Sequence, residues 1–280
     1  MTAKSSSNNA RKKFPLSFEN FLTLFAFIAA YGFVAAVYQF IVNPRVELFY
    51  AKDSSPGATS IWVVLDGYEQ QLTLVLFLLS LSILLYKYLL VFRERHMLTI
   101  DVIDLPKGRI IPREEASEFA LEMEENLPAD MPRPLSMALP SFRNSLVVRA
   151  FRRGLNRFNE DQSAKAEEVS HTISTVCESE LSKLESELAM VNYIAWAIPS
   201  VGFIGTVRGI GAALAKADLV GQEGGMSQVT AALGLAFNST LVSLLVSMVL
   251  MFFIYILKRM QEGFVMESEE YCQERLLSHI

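Results

Sequence analysis

Four long runs of apolar residues constrain this sequence more than any other feature. Each is about twenty residues or longer, the length that an α-helix needs to cross the hydrocarbon core of a bilayer. Segments rich in Asp, Glu, Lys and Arg separate the runs, so the 51% hydrophobic content is concentrated. The pattern predicts an all-α integral membrane protein. Its first span is expected to stay in the mature protein, because no small-residue cleavage site accompanies the first run.

The four predicted spans form two hairpins. The first hairpin joins a span from about Phe21 to Ile41 to a span from about Leu72 to Phe92. The second joins spans within Val191 to Ala215 and within Val229 to Ile256 through a short Gly-rich loop.

Positive charge near the spans predicts the orientation of the chain. The Lys and Arg residues that favour the cytoplasm are Lys4, Arg11, Lys12, Lys13, Arg93, Arg95, Lys258 and Arg259. Both termini are therefore expected in the cytoplasm. The predicted segments are a cytoplasmic N-terminal tail (1–20), a first transmembrane hairpin (21–92), a cytoplasmic domain (93–190), a second, channel-forming hairpin (191–257) and a cytoplasmic C-terminal helix (258–280).

The cytoplasmic domain is expected to change character along its length. Residues 98–105 alternate like a short strand, Pro112 can open a helix through Met123, and four prolines between 128 and 140 break regular structure. Residues 161–190 contain neither Pro nor Gly, which predicts one continuous helix entering the third span. The fourth span is likewise expected to continue into Met260 to Leu277.

A basic amphipathic helix is predicted from Ser145 to Phe158. Its arginines alternate with apolar residues at helical intervals. Two interpretations stay open: a solvated cytoplasmic helix packed on its neighbours, or a helix that docks on anionic lipid or an effector.

No enzymatic chemistry is predicted. The three histidines, His96, His171 and His279, are scattered, and Cys177 and Cys272 stand alone, so we expect neither a catalytic constellation nor a disulfide, a metal site or a cofactor.

The third span is unusually rich in small residues. Its glycines include Gly202, Gly205 and Gly209, which predict that another helix approaches closely. Thr206 shares a face with two of them. Pro199 has no backbone N–H, so it should kink the helix and leave the carbonyl of Ala195 to find water, a hydroxyl or a neighbouring helix.

The fourth span carries a stripe of hydroxyl groups. Thr240, Ser243 and Ser247 follow one helix face, and Ser239 lies beside them. Because the last two spans are antiparallel, Thr240 and Thr206 are expected near mid-bilayer depth, where both can line one place. Alternatively, these hydroxyls bond their own helix and only permit tight packing. Asn238 favours a polar environment, because an amide in hydrocarbon must be paired or hydrated.

Ionisable residues are nearly absent from the predicted spans. Lys87 is expected to extend to the headgroups, and Arg208 either extends outward in the same way or pairs with a partner. With no other ionisable group, these spans offer nothing that binds and releases a proton, so a partner would have to supply a carboxylate.

These motifs resemble the MotA/TolQ/ExbB proton-channel family over roughly Glu178 to Lys258. The matching positions are Pro199, Gly202, Gly205, Thr206, Gly209 and Thr240. The local motifs are closer to ExbB and TolQ, whereas four spans with a long loop after the second are like MotA. Asn238 stands where relatives often have Asp, and Arg208 where ExbB-like proteins often have an aromatic residue.

The resemblance implies the channel-forming subunit, or stator, of an ion-driven motor in the bacterial inner membrane. A pentamer would surround two copies of a single-span partner of the MotB/TolR/ExbD type, which brings a membrane aspartate. Protons, in preference to sodium ions, would pass the pore-lining residues Thr206, Asn238, Ser239, Thr240 and Ser243. A secondary transporter and a non-conducting scaffold are the alternatives. Outer-membrane import, envelope maintenance, flagellar or gliding movement, polymer export and phage defence all remain open as the process powered.

Overall fold

The computed structural model describes residues 18–52, 60–98, 110–116, 118–120, 127, 142–160, 166–222 and 224–280. Within these residues the regular structure is helical and contains no strand, and four helices are long and apolar enough to cross a membrane. The prediction of an all-α membrane protein is therefore confirmed. Residues 99–105 of the strand predicted at 98–105, the proline-rich stretch at 128–140 and the basic residues before Phe18 lie outside the described part.

The first span is longer than the sequence predicted. Helix α1 (Phe18–Val37) passes through a π-helical turn (Tyr38–Val42) into α2 (Asn43–Lys52). The wider turn ends two residues before Pro44, whose ring clashes with the carbonyl of the preceding turn in a regular α-helix and whose nitrogen donates no hydrogen bond. The helical chain therefore continues past the proline instead of ending near residue 41.

A short helix and a glycine connect the first hairpin. Helix α3 (Ile61–Leu65) leads to Gly67, whose φ of 148° favours glycine, and α4 (Tyr68–Met97) begins directly after it. The hydroxyl of Tyr38 donates a hydrogen bond of 2.7 Å to the carbonyl of Leu65, which fastens α3 to the first span.

The second hairpin consists of two antiparallel helices. Helix α6 (Ala166–Glu187) is followed by α7 (Ala189–Leu214), a 3-10 turn (Ala217–Leu219) and the 53-residue helix α8 (Gly225–Leu277). The uninterrupted continuation of the fourth span is confirmed. The helix predicted to enter the third span is confirmed over Ala166–Leu214, where a single turn residue with αR backbone angles, Leu188, stands between α6 and α7.

The predicted basic helix packs on its neighbours. Helix α5 (Leu146–Glu160) buries Phe151 and Leu155 completely against a core shared with α6 and α8. Arg149 and Arg157 form ion pairs with Glu180 and Glu168 of α6, at 2.6 and 2.8 Å. The apolar face is therefore occupied within the chain, in agreement with the packed-helix interpretation.

Candidate functional site

Helices α7 and α8 are in close contact along a row of glycines in α7, where residues of α8 pack directly on the α7 backbone. A Cβ atom on Gly202 would lie 2.7 Å from the Cβ of Ser243, and one on Gly205 would lie 2.8 Å from the Cβ of Ser239. One turn further out, a Cβ on Gly209 would lie 2.9 Å from the Cα of Ala236. Side chains at these glycines would force the helices apart, so the small-residue face predicted for the third span is where α8 packs.

Thr206 and Thr240 meet at the centre of this contact, where their hydroxyl oxygens are hydrogen-bonded to each other. The Thr206 hydroxyl also lies 3.2 Å from the carbonyl of Ala236, and the Thr240 hydroxyl lies 3.0 Å from the carbonyl of Gly202. The Ser239 hydroxyl is 3.3 Å from that same Gly202 carbonyl. We call Thr206, Ser239 and Thr240 the hydroxyl cluster.

The hydroxyl cluster contains more acceptors than its protons can satisfy at once. A hydroxyl carries one proton and two lone pairs, and each of the two threonine hydroxyls has a choice between a carbonyl and the other hydroxyl. The protons can therefore reorient without breaking the helix packing. Such an arrangement can accept a proton at one oxygen and release another from its neighbour.

Ser243 and Ser247 serve the packing of the helices. The Ser243 hydroxyl donates to the carbonyl of Thr240 in its own helix, at 3.0 Å. The Ser247 hydroxyl donates instead across the interface to the carbonyl of Ala195, also at 3.0 Å. Ala195 is the residue whose intrahelical donor is removed by Pro199, so the structure identifies the replacement as a hydroxyl.

Asn238 is not brought into the hydroxyl cluster. Adjacent positions on an α-helix point about 100° apart, and the Asn238 side chain is half-buried beside the packed face that holds Ser239. No hydrogen bond of its amide is found within the described part of the chain. One turn before it, Gly234 has nothing within 4 Å of its Cβ position, so this side of α8 is open to another helix.

Arg208 pairs within its own chain. Its guanidinium lies 2.7 Å from the carboxylate of Glu69, in the first turn of α4, and 6.0 Å from the ring centroid of Tyr68. Neither headgroups nor a separate partner are needed to explain Arg208. The hydropathy of the sequence predicts the second span only from about Leu72, so Glu69 falls outside the predicted span. Glu69 stands two residues after Gly67 and ahead of an apolar run. An acidic residue in this position is a signal of a helix start, and it could have predicted Glu69 in the first turn of α4.

Lys87 also pairs within the chain instead of extending to headgroups. Its side chain is largely buried and its ammonium lies 2.6 Å from the carboxylate of Glu187, at the end of α6. The Glu69 and Lys87 ion pairs are about 27 Å apart along α4, at 1.5 Å per residue. The corresponding separation from Glu187 to Arg208 is about 31 Å, and hydrocarbon is about 30 Å thick.

Between these ion pairs, α4, α7 and α8 carry no charged side chain. We call this part of the three helices the uncharged belt. No group of His, Cys, Asp and Glu that could hold a metal ion occurs among the residues that the structure describes.

Comparison with protein families gives one match. Residues 143–270 match the family model described as MotA/TolQ/ExbB proton channel family. The matched region begins before α5 and extends through most of α8, so it includes the hydroxyl cluster and the glycine row. The resemblance seen in the sequence motifs is confirmed. No curated protein and no solved structure shows significant similarity to the chain.

Proposed function

Since residues 143–270 belong to the MotA/TolQ/ExbB proton channel family, the chain is a membrane protein of the proton-channel type, and we propose that it forms the channel of an ion-driven rotary motor. The observation that carries the proposal is the hydroxyl cluster. It joins Thr206 and Thr240 at a helix contact bordered by the uncharged belt, where polar groups are costly and tend to serve transport.

A partner helix supplies the group that carries the ion across the belt. The described helices offer only neutral side chains there, and hydroxyls alone do not hold an ionic charge in hydrocarbon. Proteins of this family work with a partner in complexes. The partner proposed is a single-span protein of the MotB/TolR/ExbD type, present in two copies, with an aspartate in its span.

The open side of α8 supports close approach by another helix. Gly234 presents no side chain, and the side-chain amide of Asn238 on the next turn can donate and accept hydrogen bonds with a neighbouring helix. The subunits assemble as a pentamer around the partner pair. The complex lies in the bacterial inner membrane with both termini in the cytoplasm, as the Lys and Arg distribution predicts.

The ion moved is the proton, in preference to sodium. A proton neutralises the partner's aspartate, the neutral helix moves past the hydroxyl cluster of one subunit, and release to the cytoplasm restores the charge. Each elementary charge that crosses a potential of 100 mV releases about 2.3 kcal/mol, which drives rotation of the ring about the partner pair. The chain itself performs no covalent chemistry.

Proton flux into liposomes tests this function. The chain is purified from its native membrane together with its single-span partner, and reconstituted with and without that partner. Flux is compared for wild type and for the double variant Thr206→Val, Thr240→Val. Thr230→Val is the matched control, because among the described residues the Thr230 hydroxyl bonds only the Met226 carbonyl of its own helix, at 2.9 Å.

The proposal expects flux that requires both proteins, collapses in the double variant and persists in the control. An assembled complex that conducts no protons in any activated state would point to a non-conducting scaffold. Flux of the chain alone, coupled to a solute, would point to a secondary transporter.

A further inference from the structure

Glu69 reaches the hydroxyl cluster from a third helix. A Cβ atom on Gly205 would lie 3.1 Å from the Glu69 Cγ and 2.8 Å from the Ser239 Cβ, so the two side chains meet over the same glycine. Gly205 precedes Thr206 in the chain. The Glu69 side chain of α4 is thus packed beside Ser239 of α8 and against the residue before Thr206 in α7, although α4 begins more than 130 residues earlier in the sequence.

The ion pair of Glu69 is asymmetric in its exposure. The Glu69 side chain is 12% exposed, whereas the Arg208 side chain is 52% exposed. The guanidinium therefore faces the surroundings and the carboxylate lies between it and the hydroxyl cluster. A proton that enters from the outer side meets this carboxylate before it meets the threonines.

Few other groups can govern the charge of Glu69. Helix α7 contributes Arg208, and the segment of Glu69 itself contributes Asp66 and Tyr68. Helix α8 contributes the hydroxyl of Ser239 and carries no charged residue from Gly225 to Leu257, and α3 carries none. Burial raises the pKa of Asp66 above its usual value. Arg208 is thus the only cation that faces Glu69 from these helices.

Among the described residues, two buried polar atoms early in α4 have no hydrogen-bond partner. One is the Oγ1 of Thr73, on a side chain that is 1% exposed; the other, the Oε1 of Gln70, lies over Gly67, on a side chain whose amide nitrogen donates to the Val64 carbonyl. Thr73 lies four residues after Glu69 and so shares its helix face. Buried oxygens without protein partners are usually satisfied by ordered water, so a water bound to Thr73 would lie on the helix face of α4 that carries Glu69.

We propose that Glu69 is a proton-exchanging residue of the pathway, at the outer entrance to the hydroxyl cluster. This inference rests on the proposed channel function. The Glu69 carboxylate accepts a proton from a hydronium ion of the outer phase and leaves a water molecule behind. The neutral acid gives up its ion pair with Arg208 and donates the proton to a water or hydroxyl oxygen on the inner side. The carboxylate and the ion pair are then restored.

Arg208 acts as a positioning residue in this scheme. Its positive charge holds the carboxylate at the entrance between proton transfers and opposes the inward passage of other cations. The ring of Tyr68 at 6.0 Å keeps the guanidinium on the outer side of Glu69. Arginine thus stands in the third span because a carboxylate of the second span faces it.

The test measures the initial rate of proton flux against outer pH, in liposomes that contain the chain with its partner. Glu69→Gln is expected to lower the rate at least about tenfold, as for the loss of a positioned acid or base. It should also change the dependence of the rate on outer pH, because residue 69 no longer exchanges a proton. Glu69→Asp should retain part of the rate. Asp218→Asn, in the outer turn between α7 and α8, is the control and should match wild type.

A charge reversal separates proton exchange from a structural role. In Glu69→Arg with Arg208→Glu the ion pair is rebuilt with opposite polarity, so assembly and thermal stability should recover. Flux should not recover, because the carboxylate now occupies the exposed side. This double variant and Glu69→Asp decide the matter if Glu69→Gln does not assemble.

Two results overturn the inference while leaving the channel function intact. One is a Glu69→Gln variant whose flux rate and pH dependence equal those of wild type. The other is a charge-reversed double variant whose flux recovers fully to the wild-type rate. Absence of flux in the wild-type complex would instead remove the proposed function, and the inference with it.

Discussion

The hydroxyl of Ser247 in α8 donates a hydrogen bond of 3.0 Å to the backbone carbonyl of Ala195 in α7. Because proline has no backbone N–H, Pro199 cannot donate the hydrogen bond that this carbonyl would accept in a regular helix. A proline-containing span is therefore completed by a side chain from its antiparallel neighbour. The same interface holds Thr206 against Thr240, so the repair of the backbone also fixes the register of the hydroxyl cluster.

Replacing Ser247 by Ala should destabilise the protein by about 1–3 kcal/mol, because the buried carbonyl of Ala195 loses its donor. Thermal unfolding in detergent measures the effect. In a Pro199→Ala background the helix regains an amide for that carbonyl, so the second substitution should cost markedly less. If Ser247→Ala lowered the stability equally in both backgrounds, the Ser247 hydrogen bond would not be compensating for the amide that Pro199 lacks.

Replacing Gly209 by Ala should destabilise the α7–α8 contact by about 1–3 kcal/mol, because the new methyl group meets the backbone of Ala236. Gly211→Ala is the matched control in the same helix. No atom lies within 4 Å of its Cβ position, and Ala is favoured over Gly in a helix by up to about 1 kcal/mol. The unfolding midpoint should thus fall in Gly209→Ala and rise in Gly211→Ala. A shift in the same direction for both variants would contradict the close contact of α8 with the glycine row.

Replacing Lys87 by Met should cost about 1.5–3 kcal/mol, the range for a hydrogen bond to a charged group, since the partly buried Glu187 carboxylate loses the ammonium at 2.6 Å and keeps only that of the exposed Lys183 at 3.8 Å. Lys183→Met is the control, because that side chain is 59% exposed and exposed pairs contribute less than about 1 kcal/mol. Adding Glu187→Gln to Lys87→Met should recover part of the loss in unfolding midpoint. No recovery would contradict direct pairing.

Cys177 and Cys272 should resist labelling by a maleimide in the folded protein, because both thiols are fully buried in the core of α5, α6 and α8. Labelling should become fast only on unfolding. A cysteine introduced at Ser278, which is exposed just after α8, should react at once and serves as the accessible control. Rapid native labelling of Cys272 would show that the cytoplasmic core opens readily.

The hydroxyl cluster was largely predictable from the sequence, and the ion pairs were not. The meeting of Thr206 and Thr240 follows from helical periodicity and the antiparallel arrangement of the last two spans. Their expected mid-bilayer depth is wrong, because Thr206 lies two residues, about 3 Å along α7, from Arg208 at one end of the uncharged belt. The Glu69 and Arg208 pair joins residues 139 positions apart, and the Lys87 and Glu187 pair joins residues 100 apart. Such pairs depend on the register of α4 against the second hairpin, and no local pattern encodes that register.

By itself the sequence determined the helical class, the four spans, the resemblance of the second hairpin to a known family and the unmet carbonyl of Ala195. These follow from hydrophobic length, residue spacing and the chemistry of proline, which act over a few turns of helix. Only the tertiary structure decided that Ser247 supplies the missing donor and that Glu69 lies beside the hydroxyl cluster. Those contacts arise from how separate helices pack, where the close approach permitted by glycine selects one arrangement of side chains.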